Sequence, residues 1–333
     1  MAGDPKILGL PTLVRNLDGR GFLMNQRVGK LFGFSDEIFV PYLCHYLSSP
    51  DVKTFYKNKG AGGLQINISK KDVLSVTIPI PPIPEQKRIV AILDQAFADI
   101  DRARALTEQN LENARELFDS TLQQVFSQRG KGWDMKGLDE ISLDFGRGKS
   151  KHRPRNDESL YGGEYPFIQT GDVRNSEHII SNYTKTYNDK GLAQSKLWPK
   201  GTICITIAAN IAETGILGFE GCFPDSVIGV VVDPELATIG YVEYLLQSFK
   251  VILQAQGKGS AQDNINMGTF EKMKFPFPSV EVQAEMVNKL GDLSAQRQLL
   301  EQSYSSKLQK IEELKKSLLQ KAFSGQLTTR DAA

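Results

Sequence analysis

Histidine and cysteine are scarce in this 333-residue chain, with three of each. His45, His152 and His178 stand far apart, without metal-ligand spacing and without a convincing nucleophile to serve, so metal chemistry and triad hydrolysis lack their usual parts. Cys44, Cys204 and Cys222 are odd in number and have no C-x-x-C spacing. They read as reduced, buried thiols of a cytoplasmic protein rather than as a metal site or a disulfide frame. No apolar run approaches about 18 residues, and the N-terminus lacks a basic-then-apolar leader, so no membrane partner is expected. Net charge is missing too. At +1 the chain has no global field, and any nucleic-acid partner must be met by a local patch.

Catalytic patterns are equally sparse. "GRGKS" at 146–150 hints at a phosphate loop, but the Walker spacing requires a glycine where Leu143 stands. No Asn-Pro-Pro-aromatic sequence marks an amino-methyltransferase loop. Asp99 and Asp101 sit at helical i,i+2, where side chains do not converge, and read as a solvated face. We expect no catalytic centre and no cofactor. The remaining composition, 40% hydrophobic and 24% charged, is that of an ordinary globular chain with room for about two domains.

What the sequence does contain is a repeat. A shift of 197 residues pairs Gly60 with Gly257, Gln65 with Gln262, Asn67 with Asn264, Pro79 with Pro276, Pro81 with Pro278, Gln86 with Gln283 and Leu93 with Leu290. The register then runs unbroken to Ser127 and Ser324. Upstream, after small indels, Tyr42 answers Tyr241 and "NQRVG" (25–29) answers "DSVIG" (225–229). Residues from Trp133 to about Lys200 have no partner. Each copy passes from a strand-rich segment through a Gly-rich turn to a proline-bounded exit, and then to a helix of roughly 40 residues.

Apolar or small residues recur in the first helix at Leu93, Phe97, Ile100, Thr107, Leu111, Ala114, Phe118, Thr121 and Val125, with Arg104 interrupting. The second carries Leu293, Leu300, Tyr304, Leu308, Ile311, Leu314, Leu318 and Ala322. This three-and-four spacing is a coiled-coil seam. Two such helices cover each other best antiparallel; the alternative folds each onto its own domain.

The one informative charge cluster is "FGRGKSKHRPRND". Arg147, Lys149, Lys151, Arg153 and Arg155 alternate without an intervening acid, so an extended chain turns all five to one side, suited to a row of phosphates. Polar residues fit for base edges lie at Gln169, Thr170, Asp172 and Arg174, at Asn210, and at Lys258 and Gln262. A solvated loop and self-bonding turn residues are the plainer readings of these stretches.

"PFIQTGDV", "WPKGTICITIAANIAETGIL", "CFPDSVIGVVV", the P-x-P exits and "SLLQKAFSGQLT" together resemble the specificity subunit of type I restriction–modification enzymes. The likeness covers 131–333 throughout and 17–130 as a partial second copy. It implies an α+β fold with an internal tandem repeat, in which β-rich target-recognition domains join two long helices forming an antiparallel coiled coil. The expected boundaries are a truncated first recognition domain at 1–83, a first helix at 84–130, a complete second domain at 131–280, and a second helix with tail at 281–333. The resemblance also implies double-stranded DNA as partner and a non-catalytic role. Methyltransferase (modification) subunits would dock on the helices and, through them, the restriction or motor subunits. The missing counterpart of Trp133–Lys200 reads as a trimmed chain, a recombined gene fragment, or a half-subunit completed in trans by a second copy or N-terminal fragment. The remaining strands of the first domain are expected to expose apolar edges at Ile38, Phe39, Tyr42 and Leu43 unless another chain covers them. A silent fragment acting only in assembly is the alternative function.

Overall fold

The computed structural model describes residues 2–3, 9–14, 23–25, 27–59, 66–128, 130, 132–151, 154, 157–208, 210–258 and 265–327. Its contacts divide the chain into two units, one of residues 1–112 with 301–333 and the other of residues 113–300.

The first unit pairs two short strands, β1 (Ala2–Gly3) and β2 (Ile66–Asn67), and adds α1 (Val40–Leu47), α2 (Pro50–Lys59) and α3 (Lys70–Leu74). From it rises α4 (Ile83–Ser127), 45 residues long and therefore about 67 Å. Pro82 and Pro84 bracket the helix start, where a missing N–H costs nothing, and Glu85 faces the positive end of the helix dipole. The partner helix, α10 (Val280–Phe323), has 44 residues. It stops where Gly325 turns left-handed (φ 81°) and Gln326 N–H reaches back to Lys321 O, a Schellman closure.

In this unit the start of α4 packs on the end of α10. Ile89, Val90 and Leu93 form one cluster with Tyr42, Leu319 and Ala322. Lys315 pairs with Asp101 at 3.1 Å and lies over the Phe97 ring. In the second unit the end of α4 meets the start of α10. There Phe118, Leu122 and Phe126 share a core with Leu290, and the Arg297 guanidinium stacks 4.6 Å above Phe118. The pairing is antiparallel.

One face of α4 is turned inward. Leu93, Ile100, Thr107 and Phe118 are buried and Leu111 half-buried; Ala103 takes the place expected for Arg104, which turns outward to Glu108. On α10 the register differs. Leu308, Ile311 and Leu318 are half-buried, but Leu293, Leu300 and Leu314 are exposed, Leu300 by 46%. Ser294, Arg297, Glu301 and Lys315, each one position or one turn away, hold the inner side instead. The cause is local pairing. Arg297 and Lys315 have aromatic or acidic partners on α4, so a polar residue facing inward is satisfied there.

The second unit holds the larger head. It is built from β3 (Asp134–Lys136), β4 (Ser142–Arg147), β5 (Tyr161–Phe167), α5 (Thr170–Arg174), β6 (Ile179–Ile180), β7 (Lys185–Tyr187) and α6 (Asp189–Ala193). It continues through β8 (Ile203–Thr206), β9 (Thr214–Leu217), β10 (Val227–Val232), α7 (Ile239–Ser248), α8 (Lys250–Lys258), α9 (Met267–Glu271) and β11 (Phe275–Phe277). A five-stranded sheet runs β4-β10-β8-β9-β6, antiparallel except for β6 beside β9. Its middle strands are buried on both faces, which is why "ICIT" and "VIGVVV" read as continuous apolar runs. Gly229 of β10 leaves room for the stacked pair Trp198 and Phe223; a Cβ there would lie 2.7–2.8 Å from both rings.

The repeat reappears as structure. α1, α2 and α3 correspond to α7, α8 and α9, and Ser69 and Asn266 cap the third helix of each set. The expectation of exposed edges at Ile38–Leu43 is overturned. Val40–Leu47 is a helix, Tyr42 is 1% and Leu43 6% exposed, and Ile38 and Phe39 are partly buried against the same clusters. Exposed apolar residues of this unit include Leu23, Met24, Val28 and Phe32 before that segment, and Leu74, Ile80 and Leu106 after it.

Each exit is pinned identically. Fully buried Gln86 donates from Nε2 to Glu37 O and Pro81 O and accepts Phe39 N–H at Oε1, at 2.7–2.8 Å. Gln283 donates to Leu236 O (3.2 Å) and Pro278 O (2.9 Å) and accepts Thr238 N–H (2.9 Å). Tyr42 and Tyr241 each donate a hydroxyl to the first proline of the exit, Pro79 O and Pro276 O. Burial pushes Tyr42 up to about 12 and raises Tyr241 as well, so both remain donors through the physiological range.

Substituting Leu93→Ala, at a fully buried place, should destabilise the chain by about 2–5 kcal/mol. Leu300→Ala should change stability by less than about 0.5 kcal/mol. Urea unfolding followed by circular dichroism measures both; equal losses would contradict the α10 register.

Candidate nucleic-acid interface

Strand β4 ends with Arg147 opposite Ile228, and the chain continues extended, Gly148 N–H donating to Val227 O at 2.8 Å. Gly148 lies flat against Phe223 O and Pro224 O, where a Cβ would stand 2.2–2.4 Å from both. That close approach sets the alternation. Gly148 and Ser150 are buried, whereas Arg147, Lys149 and Lys151, which alternate with them, are exposed. Arg147 Nε donates to Asp225 O (2.7 Å), and Ser195 Oγ holds Lys149 O (2.8 Å), so this part of the strip is fixed through its backbone and one guanidinium. Arg153 and Arg155 lie outside the described residues.

Strand register brings a second element to the same end of the sheet. Thr206 faces Val227 and Thr214 faces Ile205, so the β8–β9 loop, which carries Asn210, opens beside the start of β10 and the end of β4. Thr206 organises that loop. Its hydroxyl donates to Asn210 O, accepts Glu213 N–H, and its carbonyl accepts Ala212 N–H. Ala212 has a φ of 61°, a conformation non-glycine residues adopt rarely and only when their surroundings impose it. α8 braces the loop from behind through Lys250 to Glu213 (2.8 Å) and Gln254 to Ile211 O (3.1 Å). Lys258 closes α8, and Ile265 N–H returns to Ile207 O of the loop; Gln262 lies outside the described residues.

The third group sits around α5. Ile168 N–H donates to Cys222 O, so Gln169 and Thr170 border the same Cys222–Asp225 segment on which Gly148 rests. Gln169 and Thr170 are half-buried and Arg174 is exposed at the end of the helix. Asp172 departs from the expectation. Its carboxylate accepts Gln169 N–H at 2.8 Å and caps α5, a backbone duty rather than a base-reading one. Thr184, within 3.4 Å of both Gln169 and Asp172, joins this group with exposed Asn182 and Lys185. These three were not legible as a site, because only the β5–β7 pairing of Phe167 with Lys185 carries them there.

One polar cluster reproduces an order known from hydrolases. Ser294 Oγ lies 3.4 Å from His178 Nε2, and His178 Nδ1 lies 2.8 Å from Glu243 Oε2. The hydroxyl, however, belongs to a residue 3% exposed, and Glu243 is also bonded to Thr214 and Gln247. With its hydroxyl enclosed, the cluster joins the start of β6 to α10. Gln298 reinforces it by donating to Glu177 (2.6 Å).

Comparison with known proteins places these features. The family model for the type I restriction modification DNA specificity domain matches residues 14–112 and 130–312. The StySPI specificity subunit of Salmonella potsdam is 24% identical over 313 residues, covering 87% of this chain and 66% of its own length. The EcoKI specificity subunit of Escherichia coli K12 is 24% identical over 324 residues, covering 88% and 67%. The chain thus spans about two thirds of the length of these relatives. Among solved structures, one chain from a study of complex assembly and conformational transition of the type I R-M system superposes with a TM-score of 0.73 at 21% identity, over 85% of this chain and 70% of its own. The HsdS subunit of Thermoanaerobacter tengcongensis gives 0.55 at 20% identity, over 86% and 70%. Among the described residues no helix is long and apolar enough to cross a membrane. With both copies of the repeat matched by one family model, the chain belongs to the type I restriction modification DNA specificity domain family.

Proposed function

We propose that this chain is the DNA-specificity subunit of a type I restriction–modification complex, reading duplex DNA with the head of its second unit and holding methyltransferase subunits on its paired helices. The observation that carries the reading is the exposed alternation Arg147, Lys149, Lys151, fixed at one end of the sheet beside the braced Asn210 loop. Cations two residues apart along an extended strand are spaced about 6–7 Å, a match for successive phosphates. Gln169, Thr170 and Arg174, with Thr184 and Asn182 added, supply the amides, hydroxyls and guanidinium that distinguish base edges, whereas the cations only position the head. In this reading the chain performs no chemistry itself. Methyl transfer, ATP use and cleavage belong to the subunits it assembles, in the cytoplasm.

The helices offer a surface for that assembly. Leu106, Leu117, Leu293, Leu300 and Leu314 are all exposed, and each stands one residue before an inward-facing position. One residue is a rotation of about 100°, and in an antiparallel pair the same offset on both helices turns to the same side. Within each unit the apolar residues therefore line one side of the pair, and in the second unit the side carrying Leu117, Leu293 and Leu300 is the proposed seat of the modification subunits. The first unit needs a cover of its own. Val28–Phe32 answers β10, which in the second unit is enclosed between β4 and β8, and we assign its cover to a second copy or a fragment bearing such strands. A complex that is complete and active with one copy and no added polypeptide would end that assignment.

Changing Arg147, Lys149 and Lys151 together to Ser should flatten the plot of log affinity against log salt by about 2–3. An unchanged slope in fluorescence titrations would remove the strip from the interface. Leu117→Asp with Leu293→Asp should leave the unfolding midpoint near wild type and abolish co-purification with modification subunits. Charges at Leu111 and Leu308, by contrast, should part the helices and lose both. Methylome sequencing of cells co-expressing the chain with modification subunits decides the whole reading. A discrete methylated motif is expected; intact complexes without new methylation would favour a silent assembly fragment.

A further inference from the structure

We infer that Gln283, with Gln86 as its counterpart, is a positioning residue for methylation, fixing the DNA-reading head to the helix that holds the methyltransferase. The inference rests on the function proposed above and adds the part that links its two halves. Gln283 is fully buried, and its carboxamide uses both N–H donors and its oxygen at once. One partner, Pro278 O, belongs to the exit immediately before α10; the other two, Leu236 O and Thr238 N–H, belong to the turn that starts α7 of the head. A single planar group therefore spans head and helix. Among side chains of similar length none replaces it at neutral pH: an ionised carboxylate has no donor, a lysine no acceptor, and an aliphatic chain neither.

A purely stabilising role is served by other contacts. Val287 packs on Gly240, Leu290 lies in the main core, and Tyr241 closes the exit at Pro276. These hold the helix against the head, and hydrogen bonds from Tyr241 to Pro276 O and from Gln298 to Glu177 each fix a single point along it. The three bonds of Gln283 converge on the joint itself and set its angle there. Gln86 makes the same three bonds in the first unit, with Glu37, Phe39 and Pro81, so the joint is maintained in both copies of the repeat. Where a transferred group must meet its acceptor, a displacement of about 1 Å arising far from the chemistry is enough to cost about 10²-fold in rate.

The test uses the complex of the full chain with its modification subunits, labelled S-adenosylmethionine, and genomic DNA from cells lacking the system. Gln283→Met keeps length and removes all three bonds. DNA affinity and complex stoichiometry should stay near wild type while the methylation kcat falls by at least about tenfold. Gln283→Glu supplies a control that a generic structural role does not move. Its carboxyl, when protonated, donates one hydrogen bond again, so methylation relative to wild type should recover as pH falls. Methionine at 283 should show no such recovery. Methylation and DNA affinity declining by the same factor, an unchanged kcat, or identical pH responses of the two variants would overturn the inference. A wild-type complex that neither binds nor methylates DNA would instead sink the specificity-subunit reading, and the inference with it.

Discussion

A helix of 45 residues with one apolar stripe survives in water only if something lies along the whole stripe. That constraint organises this molecule. α4 cannot cover its stripe alone, and α10 presents a surface of nearly equal length, so each is the other's cover. Leu93 and Ile89 meet Leu319 and Ala322 in one unit, and Phe118 and Phe126 share a core with Leu290 in the other. Because the helices are antiparallel, in each unit the start of one lies by the end of the other. The repeat in the sequence and the pairing in space are two views of one requirement.

Much of this was legible because it rests on backbone chemistry. Prolines at the exits, glycines in the turns and a three-and-four apolar spacing dictate where helices begin and what they bury, and a duplicated pattern makes each signal audible twice. The register of α10 was not legible. Leucines at 293, 300 and 314 outnumber the alternatives by hydrophobicity alone, and nothing in the linear pattern shows that Arg297 finds the Phe118 ring or that Lys315 finds Asp101. Tertiary partners made those inward polar places tolerable. The same blindness affected Ile38–Leu43, whose β-branched and aromatic residues suggest a strand, whereas the packing of Tyr42 against α4 and the end of α10 makes a helix.

At the candidate interface the division runs along similar lines. Strict alternation of cations was a strand-period signal, and the structure keeps it from Arg147 to Lys151 because glycine presses one side of the chain against Phe223 and Pro224. Asp172 looked like its polar neighbours, but an acid three residues after a helix boundary competes for the free N–H there, and the cap won. Thr184 entered the group only through a pairing between strands 18 residues apart in numbering, 167 with 185, which no local pattern specifies. Local rules thus reveal which residues are able to serve. Topology decides which of them meet.

The glutamine clasps address only main-chain atoms: carbonyls of Glu37, Pro81, Leu236 and Pro278, and amides of Phe39 and Thr238. Such a joint is blind to side-chain identity in the module it grips. Any polypeptide whose main chain follows the same path past the socket can be plugged in, whatever letters it carries. The fitting is standard and the tool on its end is free to diverge, so new binding preferences can arise by exchange of whole modules without the connection having to be reinvented.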